Sequence, residues 1–257
     1  MKRDFKYVYG PVDSWRLGVS LGIDLLSQDA KVCTFDCSYC QLGRTPAYTT
    51  ERRLYVSTEE ILEEMAGLPE VEEDHITFSG IGEPTLARNL GEAIRAVRCI
   101  RRRPVVVLTN ASLMFREDVR EDLLSANYVI AKLDACSQDS FEEINRPAPG
   151  IAYRDVLEGL KIFKACYRGK LALQIMFVRA NRNLAEEIAR IAREILPDEV
   201  QINTPLRPCS ESPLPRQDMD VIREYFKGMN CYSVYDAVKR RVEPVSRKST
   251  VLRRGKS

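Results

Sequence analysis

Cys33, Cys37 and Cys40 fall within eight residues, Cys33-Thr-Phe-Asp-Cys37-Ser-Tyr-Cys40, with gaps of three and two. The nearest other cysteine is Cys99. Three clustered thiolates without a local fourth suit three irons of a four-iron cluster, leaving one iron open to a substrate or cosubstrate. Two alternatives stand beside this. A structural zinc site would need a remote cysteine or His75 as its fourth ligand, and zinc motifs usually come as paired knuckles. The other alternative is a chance grouping of free thiols. His75 is the single histidine of the chain, so a Ser–His–Asp hydrolase or a His-based metal site would rest on it alone. It opens the apolar run His75-Ile-Thr-Phe, which reads as a strand start.

Short apolar runs rich in β-branched residues supply the elements that must position these groups. They are Val19–Asp24, Ile76–Ser79, Val105–Thr109, Tyr128–Asp134, Leu171–Val178 and Glu199–Asn203. Helix-period segments lie between and after them: a capping-box start at Ser57-Thr-Glu-Glu60, then Leu86–Ile100, Glu117–Ala126, Tyr153–Cys166, Leu184–Leu196 and Gln217–Met229. Six strand–helix units predict parallel strands with right-handed crossovers. The pattern alone fits an open doubly wound sheet or an incomplete barrel. Either places the chemistry at the carboxyl ends of the strands.

Each strand end offers something. The first leads into the cysteine loop. The second leads into Ser79-Gly80-Ile-Gly82-Glu83-Pro84, where glycines admit close approach and Glu83 suits an ammonium group; a tight strand-to-helix turn explains the same residues. After the third, Asn110 suits a ribose hydroxyl or a turn cap. On the fourth, Lys132 and Asp134 share a face, a charged pair that is costly in an apolar strand unless paired or functional. Gln174 and Met176 share a face of the fifth. After the sixth, Thr204, Arg207, Cys209 and Glu211 lie on a loop with four prolines, Pro205, Pro208, Pro213 and Pro215.

The chain is 44% apolar and 30% charged, the composition of a globular protein. No apolar run is long enough to cross a bilayer, and Met1-Lys-Arg-Asp-Phe-Lys-Tyr lacks an apolar h-region. A cytosolic protein is expected, in which scattered cysteines are not a disulfide framework. Charge is uneven: Asp236–Ser257 carries eight basic and two acidic residues, a net +6, in a chain whose total is +2. That tail fits either a nucleic-acid contact or a solvated extension.

The cysteine motif, with Tyr39 before its last cysteine, resembles that of the radical S-adenosylmethionine enzymes. Gly80-Ile-Gly82-Glu83-Pro84 resembles their glycine–glutamate motif. More narrowly, Tyr9-Gly-Pro-Val, Cys-Thr-Phe-Asp-Cys-Ser-Tyr-Cys-Gln-Leu-Gly43 and Ile144-Asn-Arg-Pro147 look like a poorly characterised group similar to the radical enzyme of wyosine biosynthesis. The resemblance implies an α/β fold, a partial (β/α)6 barrel over residues 1–208, with 209–257 as a short C-terminal extension of helix, strand and basic tail. It implies that Cys33, Cys37 and Cys40 hold a 4Fe–4S cluster whose open iron chelates S-adenosyl-L-methionine. Glu83, with Gly80 and Gly82, would hold the methionyl ammonium. Tyr39, Asn110, Lys132 and Asp134 would complete the cofactor site. Reductive cleavage would give methionine and a 5′-deoxyadenosyl radical that abstracts hydrogen from a substrate. Reduced flavodoxin or ferredoxin would supply the electron. RNA is the expected substrate, contacted by the basic tail. The alternatives are a protein or peptide, including glycyl-radical activation, and a non-catalytic iron–sulfur or zinc protein. No glycine-rich adenine motif follows the fifth strand.

Overall fold

A computed structural model describes residues 5–46, 48–238 and 240–254. One sheet of eight strands runs in chain order from β1 to β8. Six strands are those read from the sequence: β2 (Gly18–Ile23), β3 (His75–Phe78), β4 (Val105–Thr109), β5 (Tyr128–Lys132), β6 (Lys170–Met176) and β7 (Glu199–Asn203). Each pairs in parallel with the next. Two more extend the edges. β1 (Val8–Ser14) is antiparallel to β2, and β8 (Cys231–Ser233) is parallel to β7. The pattern missed β1 because Gly10-Pro11 interrupts it. Gly10 sits at φ +90° and the register shifts between Tyr9 and Val12, which an edge strand tolerates. β8 has three residues, too few to show a period. The sheet curls without closing, so it is a partial barrel.

The helices are α1 (Thr58–Ala66), α2 (Leu90–Ile100), α3 (Glu117–Leu123), α4 (Gln138–Ile144), α5 (Tyr153–Cys166), α6 (Ala185–Ile195), α7 (Arg216–Glu224) and α8 (Arg247–Arg254). Ser57 and Glu60 form the capping box of α1. The segment expected as one helix from Leu86 starts later. Pro84–Leu86 is a single 3-10 turn capped by the Glu83 carboxylate, and α2 begins at Leu90. α4 has no counterpart in the sequence reading.

Alternation along the strands separates two faces. Ile23, Phe78, Val107, Val129, Leu173 and Ile202 point outward into one core with Ile61, Ile94, Phe163, Ile188 and Ile222 of the helices. The other parity lines the concave side, where Leu17, Val106, Tyr128, Ile130 and Ala172 form a separate apolar belt.

The basic C-terminal stretch folds back onto the barrel. α8 packs on β1, where Ser249 Oγ donates to the Val8 carbonyl and Gly10 N donates to Thr250 Oγ1. Arg253 is buried and ion-paired to Asp24 at 2.8 Å. Arg240 pairs with Asp74 at 3.0 Å. Part of the +6 charge is therefore spent on the protein's own carboxylates. Lys239 and Lys256 lie outside the described residues. Among the described residues, no helix is long and apolar enough to cross a membrane.

Candidate active site

The cysteine loop leaves the end of β2 and is held by backbone hydrogen bonds from two sides. On one side, Val32 N donates to the Ile81 carbonyl at 3.0 Å and Glu83 N donates to the Val32 carbonyl at 3.1 Å. On the other, Ser38 N donates to the Ile144 carbonyl, Asp36 N to those of Asn145 and Arg146, and Ala148 N to that of Thr34. The Ile144-Asn-Arg-Pro147 segment thus grips the loop between its cysteines. Thr45 closes the far side, its N–H donating to Asp36 Oδ1 at 2.6 Å and its hydroxyl to the Phe35 carbonyl.

Polar hydrogens surround the thiols. Phe35 N and the Asn110 amide approach Cys33 Sγ at 3.5 and 3.7 Å. The Asn145 amide approaches Cys37 Sγ at 3.6 Å. The Lys31 ammonium, held at the Gly43 carbonyl, lies in the field of all three sulfurs. Burial pushes the bare Cys33 thiol up to about 12, helped by Cys37, and the Cys37 thiol up to about 11, helped by Asp134. Among the described residues, no group of three or more Cys, His, Asp or Glu side chains is arranged to hold one metal ion. Thiolates on three separate irons of a cluster stand farther apart than three donors on one ion. The donor set, three thiols with N–H groups turned to the sulfurs, fits a cluster.

The turn after β3 is knit to the protein itself. A Cβ on Gly80 would lie 2.1 Å from the Asp24 carboxyl carbon, and one on Gly82 would lie 1.6 Å from the Val32 carbonyl oxygen. The two glycines are required by these close approaches. Glu83 is buried and takes four donors: Thr85 N, Thr85 Oγ1 and Thr109 Oγ1 on one oxygen, Asn110 N on the other. Burial nonetheless raises the pKa of its carboxyl above the ordinary value. Glu83 therefore ties the end of β3 to the end of β4. Asn110 is likewise engaged. Its amide donates to Thr34 Oγ1 at 2.8 Å and its carbonyl accepts from Ser112 N at 2.9 Å.

Asp134, just past β5, is the second node. It accepts from the Tyr39 hydroxyl, from the Asn145 amide at 2.8 Å and from Met176 N at 2.7 Å. Lys132 lies 3.7 Å from Asp134 and 4.8 Å from the Tyr39 ring centroid, with its ammonium on the concave side. The structure thus brings Cys33, Cys37, Cys40, Tyr39, Gly80, Gly82, Glu83, Asn110, Lys132 and Asp134 to one rim. The polar atoms of Glu83, Asn110 and Asp134 also make hydrogen bonds to the protein's own groups there.

The proline-rich loop after β7 closes over this rim. Ser210 Oγ donates to the Ser38 carbonyl, and Arg207 donates to Gln41 Oε1 at 2.9 Å and weakly to the Arg254 carbonyl. Cys209, like Cys37 and Met176, packs against the cluster of Tyr39, Ile144 and Val178, whereas Cys136 packs into the helix-side core. Sequence reasoning gave no role to Thr34, Asn145, Asp24 or Arg253. Asn145 stood in a motif quoted only for its resemblance. Arg253 looked like one more charge in a basic tail.

A family model described as the Radical SAM superfamily matches residues 29–192, from the cysteine loop into α6. The chain belongs to that superfamily and is an enzyme. A UPF0026 protein of Synechocystis is 39% identical over 218 residues, covering 84% of this chain and 81% of the relative, which places the chain in the UPF0026 family. Among solved structures, TYW1 with a lysine-pyruvate adduct bound superposes with a TM-score of 0.63 at 15% identity, over 82% of this chain and 74% of that one. Streptococcus suis SuiB bound to S-adenosylmethionine gives 0.62 at 14% identity, over 79% and 48%. At these identities the two structures attest the fold.

Proposed function

We propose that Cys33, Cys37 and Cys40 hold three irons of a 4Fe–4S cluster and that S-adenosyl-L-methionine completes the fourth. The observation that carries this is the cysteine loop itself: three thiols at the carboxyl rim of a radical SAM barrel, with N–H groups from Phe35, Asn110 and Asn145 turned to the sulfurs. When bound and reduced, the cluster supplies the electron that splits the sulfonium into methionine and a 5′-deoxyadenosyl radical, which takes hydrogen from the substrate. The chain's own part is placement. Asn110 and Asn145 offset negative charge on the sulfurs. Glu83 fixes the Gly80–Gly82 backbone, which meets the methionyl ammonium. Asp134 holds Tyr39 and aims Lys132, the one cation of this rim cluster without a hydrogen-bonded acceptor among the described residues, at the cofactor carboxylate.

An external one-electron donor such as reduced flavodoxin or ferredoxin fits this chemistry, and the cysteine usage favours the cytosol. The RNA reading rests on the exposed Arg241, Arg247 and Lys248. RNA binding that weakens steeply with salt, and weakens further when these three are neutralised, supports it; salt-independent binding of a peptide favours the alternative.

The test of the chemistry is anaerobic reconstitution, then reduction in the presence of S-adenosylmethionine. A cluster and 5′-deoxyadenosine are expected from the wild type, and neither from Cys37→Ala. Bound zinc, or a cluster that never cleaves the cofactor, defeats the reading.

A further inference from the structure

The cysteine loop also has neighbours on its solvent side. Two isolated bridges flank it: Cys33 pairs with Tyr48, and Phe35 pairs with Pro147. Tyr48 is an exposed aromatic, at 41%. Pro147 belongs to a stretch, residues 146–152, that together with Gln138 and Glu142 of α4 walls an open cavity of about 490 Å³. Residues paired in this way stand about 5 Å apart. The Pro147 wall of the cavity is therefore one strand spacing from the loop that bears Cys33 and Cys37. Cations flank the same loop. Arg44, its side chain 93% exposed, and the enclosed Lys31 reach the Asp36 carboxylate at 3.9 and 3.8 Å, two cations on one carboxylate. Arg146 is exposed at the cavity and forms no ion pair or side-chain hydrogen bond among the described residues. Its backbone lies at φ +46°, where glycine or asparagine is the usual occupant. The Asp36 N–H donates to the carbonyls of both Asn145 and Arg146, which fixes that conformation. The backbone thus asks for glycine at position 146, and the chain instead spends the strain on a guanidinium that the fold does not use. Of the described residues that line the cavity, Glu142 alone is acidic.

We propose that this face, formed by Arg44, Tyr48, Arg146 and the cavity beside them, docks the electron donor of the radical reaction, and that the donor is an acidic flavodoxin. Electron transfer between proteins weakens steeply with distance. The radical reading gives the concave side to cofactor and substrate, so the back of the loop is the short route to the Cys33 and Cys37 sulfurs. Arginine and tyrosine are enriched at protein interfaces. Exposed positive charge steers an acidic partner and fixes its orientation. Pro147, Ala148, Pro149 and Ile151 give the cavity an apolar wall, which suits the dimethylbenzene edge of a flavin. The transfer is a single electron: the reduced flavin is oxidised by one electron, the cluster is reduced by one, and no bond to the protein forms or breaks. The proposal rests on the radical reading for the purpose of the surface, and on these residues and the cavity for its place.

Two measurements on the reconstituted full-length protein test this. The first is calorimetric titration with oxidised flavodoxin at low salt. The wild type binds, and binding weakens as salt rises. A double variant, Arg44→Gln with Arg146→Gly, binds about tenfold or more weakly. Glycine at 146 keeps the left-handed backbone, so the change removes the guanidinium and leaves the grip on the loop. The second measurement compares 5′-deoxyadenosine formation driven by reduced flavodoxin with that driven by dithionite, a small reductant that needs no docking surface. The ratio of the two rates falls about tenfold in the double variant. Absence of flavodoxin binding overturns the proposal, as do equal binding and an equal ratio in wild type and variant. Equal loss with both reductants also overturns it, since the residues would then be structural. Reaction with reduced ferredoxin and none with reduced flavodoxin overturns the flavin donor. If the double variant fails to fold, Arg44→Gln, on a side chain that stands in solvent, carries the test. Flavodoxin binding by a wild type that forms no 5′-deoxyadenosine even with dithionite upholds the docking face and defeats the radical reading instead.

Discussion

Asn145 illustrates how single side chains support the site from behind. Its amide donates to Asp134 and approaches Cys37 Sγ, so one group bridges the cysteine loop and the end of β5. Asn145→Ala is expected to leave the fold intact and shorten the lifetime of a reconstituted cluster. Iron release to a chelator measures this; unchanged release would remove Asn145 from the account. Glu83→Gln behaves differently. Its amide would place N–H groups against donors from Thr85, Thr109 or Asn110, each clash or unmet donor costing about 1–3 kcal/mol. A drop in thermal midpoint of the cluster-free protein is expected. A Glu83→Gln variant of wild-type stability would mean the carboxylate serves a ligand and not the loops.

At the scale of elements, α8 is joined to the rim through one buried ion pair. The Arg253 and Asp24 side chains are each 1% exposed, and Asp24 also accepts from Ile81 N of the glycine turn. Burial raises the pKa of the Asp24 carboxyl, while Arg253 works against that. Removing one partner of such a pair costs about 3–5 kcal/mol because the other is left charged and dry. Arg253→Met should therefore lower the urea midpoint sharply and speed hydrogen exchange at Ile81. Adding Asp24→Asn should recover part of the loss; no recovery would assign the cost to packing. A second strut is Arg52, which donates to the Thr85 and Ala87 carbonyls and reaches Asp118 and Asp122 of α3. Arg116 and Arg52 together hold the Asp118 carboxyl down at about 2. Its folded pKa is depressed, so its contribution is present above about pH 4 and is lost as pH falls toward 2. Asp118→Asn should flatten that part of the acid stability curve.

For the whole molecule, the sheet sets cooperativity. β8 pairs with β7 at one edge and α8 packs on β1 at the other, so residues after 208 touch both ends of the barrel. Urea unfolding is expected as one transition, monitored together by helix content and by Trp15 fluorescence. An early separate loss of helix would show that the C-terminal part folds on its own.

The chain's local patterns already named much of this protein. Six strands, most helices, the cysteine loop and the glycine–glutamate turn are short-range features, written in alternation, capping and spacing. Their placement at one rim follows from parallel topology. What sequence could not decide is what each polar side chain faces. Glu83, Asn110 and Asp134 read as groups for a ligand, and the fold adds a second set of partners, Thr85, Thr34, Tyr39 and Asn145, across separations of up to 95 residues. Arg253 stood in a tail read as a nucleic-acid contact or a solvated extension, and is the most enclosed cation of the tail's described residues. Hydrogen-bond partnership and burial are properties of the packed chain, and only the tertiary structure assigns them. At Cys33, Cys37 and Cys40 the two levels converge, since metal-binding chemistry requires side chains close in space and this motif keeps them close in sequence as well.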